Sequence, residues 1–182
     1  MKHSDPAERA EAVAWLATNG RMADQPLLLE RLRDADEDVR GYAEQALWLL
    51  WMRSGDAAID RALAEGSALM AAGRLPEAIA IFSEIIRRRP AFAEGWNKRA
   101  TAYFLAGDYP RSLADCEQVI KRNPRHFGAL SGYGQIYFRL EQFDKAIEYW
   151  RRALRVNPNM SGVRMNIERA EQRLREKGAR TI

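Results

Sequence analysis

A chain of 182 residues with 47% hydrophobic and 30% charged side chains has the balance of an ordinary globular protein, long enough for one large domain or two small ones. Its single cysteine, Cys116, excludes an internal disulfide and offers no metal-ligand spacing, and its longest apolar run, Ala46 to Met52, falls far short of the roughly 20 residues a membrane span needs. The formal charge of +4 conceals an asymmetry: residues 1–56 hold 7 Lys/Arg against 11 Asp/Glu, net −4, and residues 57–182 hold 22 against 14, net +8, so the two ends favour different partners or each other.

Leu, Ala, Arg and Glu dominate while Val, Ile and Thr are sparse, a composition that favours helix. No leader peptide is read at Met1-Lys2-His3. Ser4-Asp5-Pro6 reads as a helix start, with a capping side chain and a proline in the first turn. The helix that follows buries Ala10, Val13, Ala14 and Leu16 or Ala17 and stops at Asn19-Gly20, where glycine can adopt the left-handed cap. A second helix is predicted over about Gln25 to Arg33 and a third over about Val39 to Arg53, with Ala46 to Met52 as a buried face. The stretch from Leu28 through Asp34 and Asp36 to Val39-Arg40 and Ala46-Leu47 resembles a HEAT repeat, two antiparallel helices joined by an acidic turn. That resemblance covers residues 1–54 and implies that Arg40 bonds Asp34 or a neighbouring turn acid; the plainer reading is a set of capping helices with no repeat ancestry. Ser54-Gly55-Asp56 is too short for a flexible linker, so the parts are expected to continue as one solenoid.

From residue 57 the chain repeats itself. Pro90, Pro124 and Pro158 are evenly spaced, and Gly66, Ala100 and Gly134 keep the same interval. With Leu69, Gly73, Ala78 and Phe82, then Trp96, Tyr103, Gly107 and Tyr109, then Leu130, Tyr137, Phe143, Ala146, Trp150 and Ala153, the pattern resembles the tetratricopeptide repeat, and the interval matches that family's period of about 34 residues. Ala62, Glu65, Arg99, Ser112, Cys116 and Glu141 depart from it, Cys116 standing in an aromatic place and Glu141 in that of a turn glycine. The resemblance implies three helix pairs, about 57–90, 91–124 and 125–158, in an all-α, right-handed superhelical solenoid of antiparallel helix pairs. Its physical basis is close helix approach at Gly66, Ala100 and Gly134, with large aromatics filling the space around them and proline ending each second helix. Residues 159–182 supply a capping helix, with Val163, Ile167, Ala170 and Leu174 on one stripe, and a tail that frays after Gly178.

Chemistry has few candidates. His3 and His126 are far apart and distant from any nucleophile, so no catalytic pair, metal cluster or cofactor is expected, and Cys116 reads as a small buried hydrophobe. Binding is better supplied. In tetratricopeptide arrays the first helix of each pair lines the concave side, which by resemblance places Leu63, Ser67 and Met70, then Asn97, Lys98, Thr101, Phe104 and Leu105, then Ser131, Gln135, Phe138 and Arg139 in a groove that Met165, Arg169 and Arg173 extend. Such a surface suits a protein or peptide partner, an acidic one in particular. One member of the family grips chaperone tails with a carboxylate clamp; the corresponding places here hold Leu63, Ser67, Lys98, Gly128 and Gly132, a single charge, so that clamp is not expected.

Arg87-Arg88-Arg89, Lys121-Arg122 with Arg125, and Arg151-Arg152 with Arg155 recur near the ends of successive second helices and would form a basic ridge. Cations there offset the helix macrodipole, and without a recognised nucleic-acid fold the ridge argues weakly for nucleic acid. The expected function is therefore a non-catalytic adaptor, with self-assembly between the acidic and basic ends as the alternative. Short arrays of this kind occur in bacterial cytoplasm and periplasm, the former slightly favoured here.

Overall fold

The structure, a computed structural model, describes residues 3–179, and every regular element among them is helical. The chain divides into two compact units, residues 1–56 with 157–159 and residues 57–156 with 160–182. The first contains α1 (Pro6–Asn19), a single 3-10 turn (Met22–Asp24), α2 (Gln25–Arg31) and α3 (Glu37–Trp51). Asp5 caps α1 by accepting from the Ala7 N–H at 2.9 Å, and Asp36 caps α3 through the Val39 N–H at 3.1 Å. Val13 and Leu16 pack with Leu28, Leu29 and Leu32 and with Val39, Ala43, Ala46, Leu47 and Leu50 as the core.

Two expectations for this unit change. Ala14 is exposed and Arg9 is buried instead, because its guanidinium makes two hydrogen bonds, of 2.9 and 2.7 Å, to the buried Asp34 carboxylate. Arg40 reaches Asp34 as expected, but with that carboxylate also held by Arg31 at 2.8 Å it does so through the backbone carbonyl, together with that of Ala35. Gly20 ends α1 in extended backbone, φ −65° and ψ 156°, not the left-handed cap. Glycine is required there for space: a Cβ would lie 2.5 Å from the Leu16 carbonyl oxygen. The freed carbonyls of Ala17 and Gly20 accept from Arg53 at 2.8 and 3.0 Å, which places a cation at the negative end of the helix.

The second unit holds α4 (Ala57–Ala71), α5 (Leu75–Arg88), α6 (Ala93–Leu105), α7 (Tyr109–Arg122), α8 (Phe127–Arg139), α9 (Phe143–Val156) and α10 (Ser161–Ala179). α5, α7 and α9 begin at Leu75, Tyr109 and Phe143, each one sequence interval after the last, so the structural period is the sequence period. Each turn inside a pair closes identically: Arg74 N–H to Leu69 O, Asp108 N–H to Tyr103 O and Gln142 N–H to Tyr137 O, all 2.9 Å. The residue before the donor is left-handed, with φ of 75° at Gly73, 77° at Gly107 and 55° at Glu141. Only in the third does a side chain bear that conformation, at a cost of roughly 1–2 kcal/mol.

Small residues face large ones across each pair. A Cβ on Gly66 would lie 2.6 Å from the Phe82 ring, and one on Gly134 would lie 2.4 Å from the Trp150 indole. In the middle pair the equivalent partners are Ala100 and Cys116, both buried. The aromatic becomes a thiol where the glycine becomes alanine. α10 lays Val163, Ile167 and Ala170 on Phe143, Ala146, Ile147 and Trp150, with Leu174 half-buried beside them. It continues through Gly178 to Ala179; the rest of the expected frayed tail, residues 180–182, lies outside the described residues.

Candidate functional site

α4, α6 and α8 are neighbours and carry most of the residues expected to line a groove. Two of them do not belong to a surface. Leu63 is 1% exposed, and Ser131 is buried where its carbonyl accepts from the Trp150 Nε1–H at 3.1 Å. Ser67 is half-buried with its hydroxyl spent on the Leu63 carbonyl at 2.7 Å, and Met70 is half-buried near the end of α4. Leu105 is exposed at the end of α6. Asn97 donates to both oxygens of Glu94 at 3.0 and 3.2 Å, and the Lys98 ammonium stands 3.6 Å from the same carboxylate.

The other residues gather into two concavities. Between α6 and α8 lies a cavity of about 70 Å³ floored by Ala100, Ser112, Cys116 and Ile136 and edged by Asn97, Thr101, Phe104 and Gln135. Its α8 wall is made by Gly128, Ala129 and Gly132, so little side chain occupies the space opposite Cys116. Burial pushes the Cys116 thiol up to about 12, with nearby Asp115 acting in the same direction, so it is neutral.

Farther along α8 a second cleft, of about 510 Å³, is bounded by Phe138, Arg139 and Phe143 on one side and Arg169, Arg173 and Glu176 of α10 on the other. Phe138 packs edge-on to Phe143 at 5.3 Å, and the Arg173 guanidinium lies 5.9 Å from the Phe143 ring. Three arginines meet two carboxylates, Glu141 and Glu176, across this cleft. Among the described residues Arg139, Arg169 and Arg173 form no ion pair.

Two buried polar pairs gave no signal in the repeat pattern. Glu94 and His126, at the starts of α6 and α8, are fully buried with Nε2 and Oε2 3.1 Å apart. The Ala129 N–H donates to His126 Nδ1 at 3.1 Å, which leaves Nε2 as the protonated nitrogen facing Glu94. Burial alone would raise the Glu94 carboxyl, but the His126 hydrogen bond, with Lys98 and Asn97, outweighs it and holds the group below its ordinary value. Arg99 makes a two-pronged contact with buried Asp115 at 2.7 and 2.8 Å and reaches Ser83 Oγ at 3.0 Å, its face 5.2 Å from the Trp96 ring. Glu94–His126 ties two neighbouring repeats, while Arg99 joins the two helices of its own pair through Asp115 and reaches the preceding repeat at Ser83.

The cations of the expected basic ridge are largely engaged. Arg87 pairs with Glu84 at 2.6 Å, Lys121 with Glu117 at 2.8 Å and Arg151 with Glu171 at 3.0 Å, while Arg122 and Arg152 lie 4.7 Å from the Trp96 and Tyr149 rings. A polyanion would have to displace these partners. His3 is exposed and pairs with Glu8 at 2.9 Å. Among the described residues no group of three His, Cys, Asp or Glu could hold a metal ion, and no helix is long and apolar enough to cross a membrane.

Comparison with known proteins places this arrangement. The family profile described as tetratricopeptide repeat matches residues 63–118 and 97–161, together more than half of the chain. No curated protein matches. Among solved structures, the Sgt2 TPR domain from Aspergillus fumigatus superposes with a TM-score of 0.65 at 21% identity, covering 68% of this chain and 83% of that one. The first TPR of Spaghetti (RPAP3), bound to the HSP90 peptide SRMEEVD, gives 0.62 at 22% identity over 64% of this chain and 92% of its own. The TPR2B domain of yeast Sti1, in complex with pHsp70, gives 0.60 at 24% identity over 64% and 98%. At these identities the likeness is one of fold. None of these comparisons supports the HEAT-like reading of residues 1–54 or the expected bacterial setting. The family match spans the residues that carry the repeat register and the small-against-large contacts, and on that agreement the chain belongs to the tetratricopeptide repeat family.

Proposed function

We propose that this protein is a non-catalytic interaction scaffold that holds an acidic peptide segment of a partner protein along the inner row of α6, α8 and α10. The observation that carries the reading is the cleft uniting Phe138, Arg139, Arg169 and Arg173, an aromatic floor beside three guanidinium groups with no ion pair among the described residues. Preformed on helices, it costs little ordering on the scaffold side. The HSP90-peptide complex of Spaghetti (RPAP3) and the pHsp70 complex of yeast Sti1 support the class of partner. Their peptides are not carried over: at the places of the carboxylate clamp Leu63 is buried and Lys98 is drawn to Glu94. The HEAT-like reading of residues 1–54 remains a proposal resting on the Arg40 contact with the acidic turn.

The test is retention of the protein on immobilised peptides graded from strongly acidic to strongly basic. Acidic peptides should be retained, and Arg139→Glu with Arg169→Glu should weaken retention about tenfold with helicity unchanged. Retention indifferent to peptide charge, or to the paired substitution, refutes the reading. Light scattering at low and high salt separates it from self-association between the acidic residues 1–56 and the basic residues 57–182.

A further inference from the structure

We infer that the cavity between α6 and α8 is a side-chain pocket that receives one aliphatic residue, of leucine or methionine size, from the peptide held in the groove. The inference rests on the scaffold reading above and names what that peptide must carry. Phe82, Cys116 and Trp150 occupy one position of the repeat in its three successive copies. Phe82 and Trp150 fill that position against Gly66 and Gly134, so closely that a methyl group on either glycine would collide. Cys116 against Ala100 fills less, and the neighbouring wall contributes Gly132, where an added Cβ would reach only the Cys116 Sγ, at 4.0 Å. The volume an aromatic occupies in the other repeats is left open, about 70 Å³ of it.

Size and chemistry select the occupant. The space exceeds the roughly 10–15 Å³ that one water needs and is about half of a cavity that admits benzene, so it suits a short aliphatic chain rather than a ring. Ala100, Ile136 and the neutral Cys116 thiol offer an apolar floor. At the mouth, Thr101 and Gln135 are exposed, and the Gln135 amide has no hydrogen-bond partner among the described residues, which leaves it able to pair with a peptide backbone. The cationic cleft supplies the charge complementarity. On α8 the pocket centres on Gly132 and the cleft on Phe138 and Arg139; six or seven residues at about 1.5 Å each separate them by about 10 Å, which an extended peptide spans in three residues. The ligand is thus a peptide with an aliphatic and an acidic residue three positions apart.

Fluorescence anisotropy with a labelled serine peptide bearing leucine and glutamate three residues apart tests this, against the same peptide with alanine for leucine. Wild type should prefer the leucine peptide about tenfold. Gly132→Leu, which occupies the pocket, and the paired Ala100→Gly and Cys116→Phe, which rebuilds the contact of the first repeat, should each abolish that preference while circular dichroism stays unchanged. Equal affinity of wild type for the two peptides overturns the pocket. If the pocket variants retain the preference while Arg139→Glu with Arg169→Glu loses binding, the pocket falls and the scaffold reading stands. Titration with N-acetyl-leucine methylamide needs no groove: movement of the Gly128 and Gly132 amide resonances, absent with N-acetyl-glycine methylamide, supports the pocket alone, and identical responses to both compounds overturn it.

Discussion

Gly132 and Gly134 lie two residues apart on α8, and replacing each with alanine makes one chemical change with two opposite outcomes. Alanine in a helix interior is favoured over glycine by about 0.5–1 kcal/mol, because the unfolded chain loses freedom it no longer has to surrender. At Gly132 the new methyl meets nothing nearer than the Cys116 Sγ at 4.0 Å, so the gain survives. At Gly134 it would lie 2.4 Å from both Cδ1 and Nε1 of Trp150, more than an ångström inside contact. The indole cannot withdraw cheaply: it is 2% exposed, and its Nε1–H is bonded to the Ser131 carbonyl at 3.1 Å. Overpacking costs roughly 1–3 kcal/mol, and losing the buried hydrogen bond a similar amount. With the propensity gain subtracted, Gly134→Ala should destabilise by about 2–4 kcal/mol and Gly132→Ala stabilise by about 0.5–1 kcal/mol. Urea unfolding followed by far-UV circular dichroism, with slopes compared to confirm a common transition, measures both. A Gly134→Ala protein as stable as wild type would refute the close-approach argument. So would a Gly132→Ala protein harmed as much as its neighbour.

Other perturbations follow from the buried polar groups. Arg99→Ala leaves the Asp115 carboxylate buried without its two-pronged partner, so unfolding should require about 2–4 kcal/mol less, measured by the same denaturation. The hydrogen bond from Arg9, then that from the Asp36 N–H and the charges of Arg9 and Arg31, hold the Asp34 carboxyl at about 2 against an ordinary 3.8 despite its burial. Because the folded value is the lower one, this stabilisation is present above about pH 5 and is lost as pH falls toward 2. Discounted for solvent screening it is worth about 1–2 kcal/mol, and Asp34→Asn should flatten that part of the pH profile. Cys116, buried and with its thiol pushed up to about 12, holds so little thiolate that it should be alkylated far more slowly at pH 8 in the native protein than in the unfolded chain. Prompt native alkylation would contradict the burial.

Repeat architecture is legible in sequence because each unit states its own packing rule and states it again. Pro90, Pro124 and Pro158, the small residues Gly66, Ala100 and Gly134, and the turn positions Gly73, Gly107 and Glu141 all recur at one common interval. Helix pairs, turns and the Gly66–Phe82 and Gly134–Trp150 contacts followed from that spacing. In residues 1–56 no second copy constrains the pattern, and there Ala14 and Gly20 departed from expectation while Arg9 took a core position. Within the row of residues expected in a groove, spacing did not fix the depth of each side chain, and Leu63 and Ser131 went inside.

Amino-acid order alone determined the all-α class and the period, because these depend on contacts within one helix pair and its nearest neighbour. The tertiary structure decided which polar residues meet. Arg99 and Asp115, 16 residues apart, meet across the two helices of one pair, whereas Glu94 and His126, 32 apart, join only where one pair packs on the next. It also decided what an absent side chain leaves behind. An alanine, a cysteine and two glycines read singly as ordinary small residues become a cavity when three helices bring them to the same point, since free volume belongs to an arrangement of neighbours and to no residue by itself.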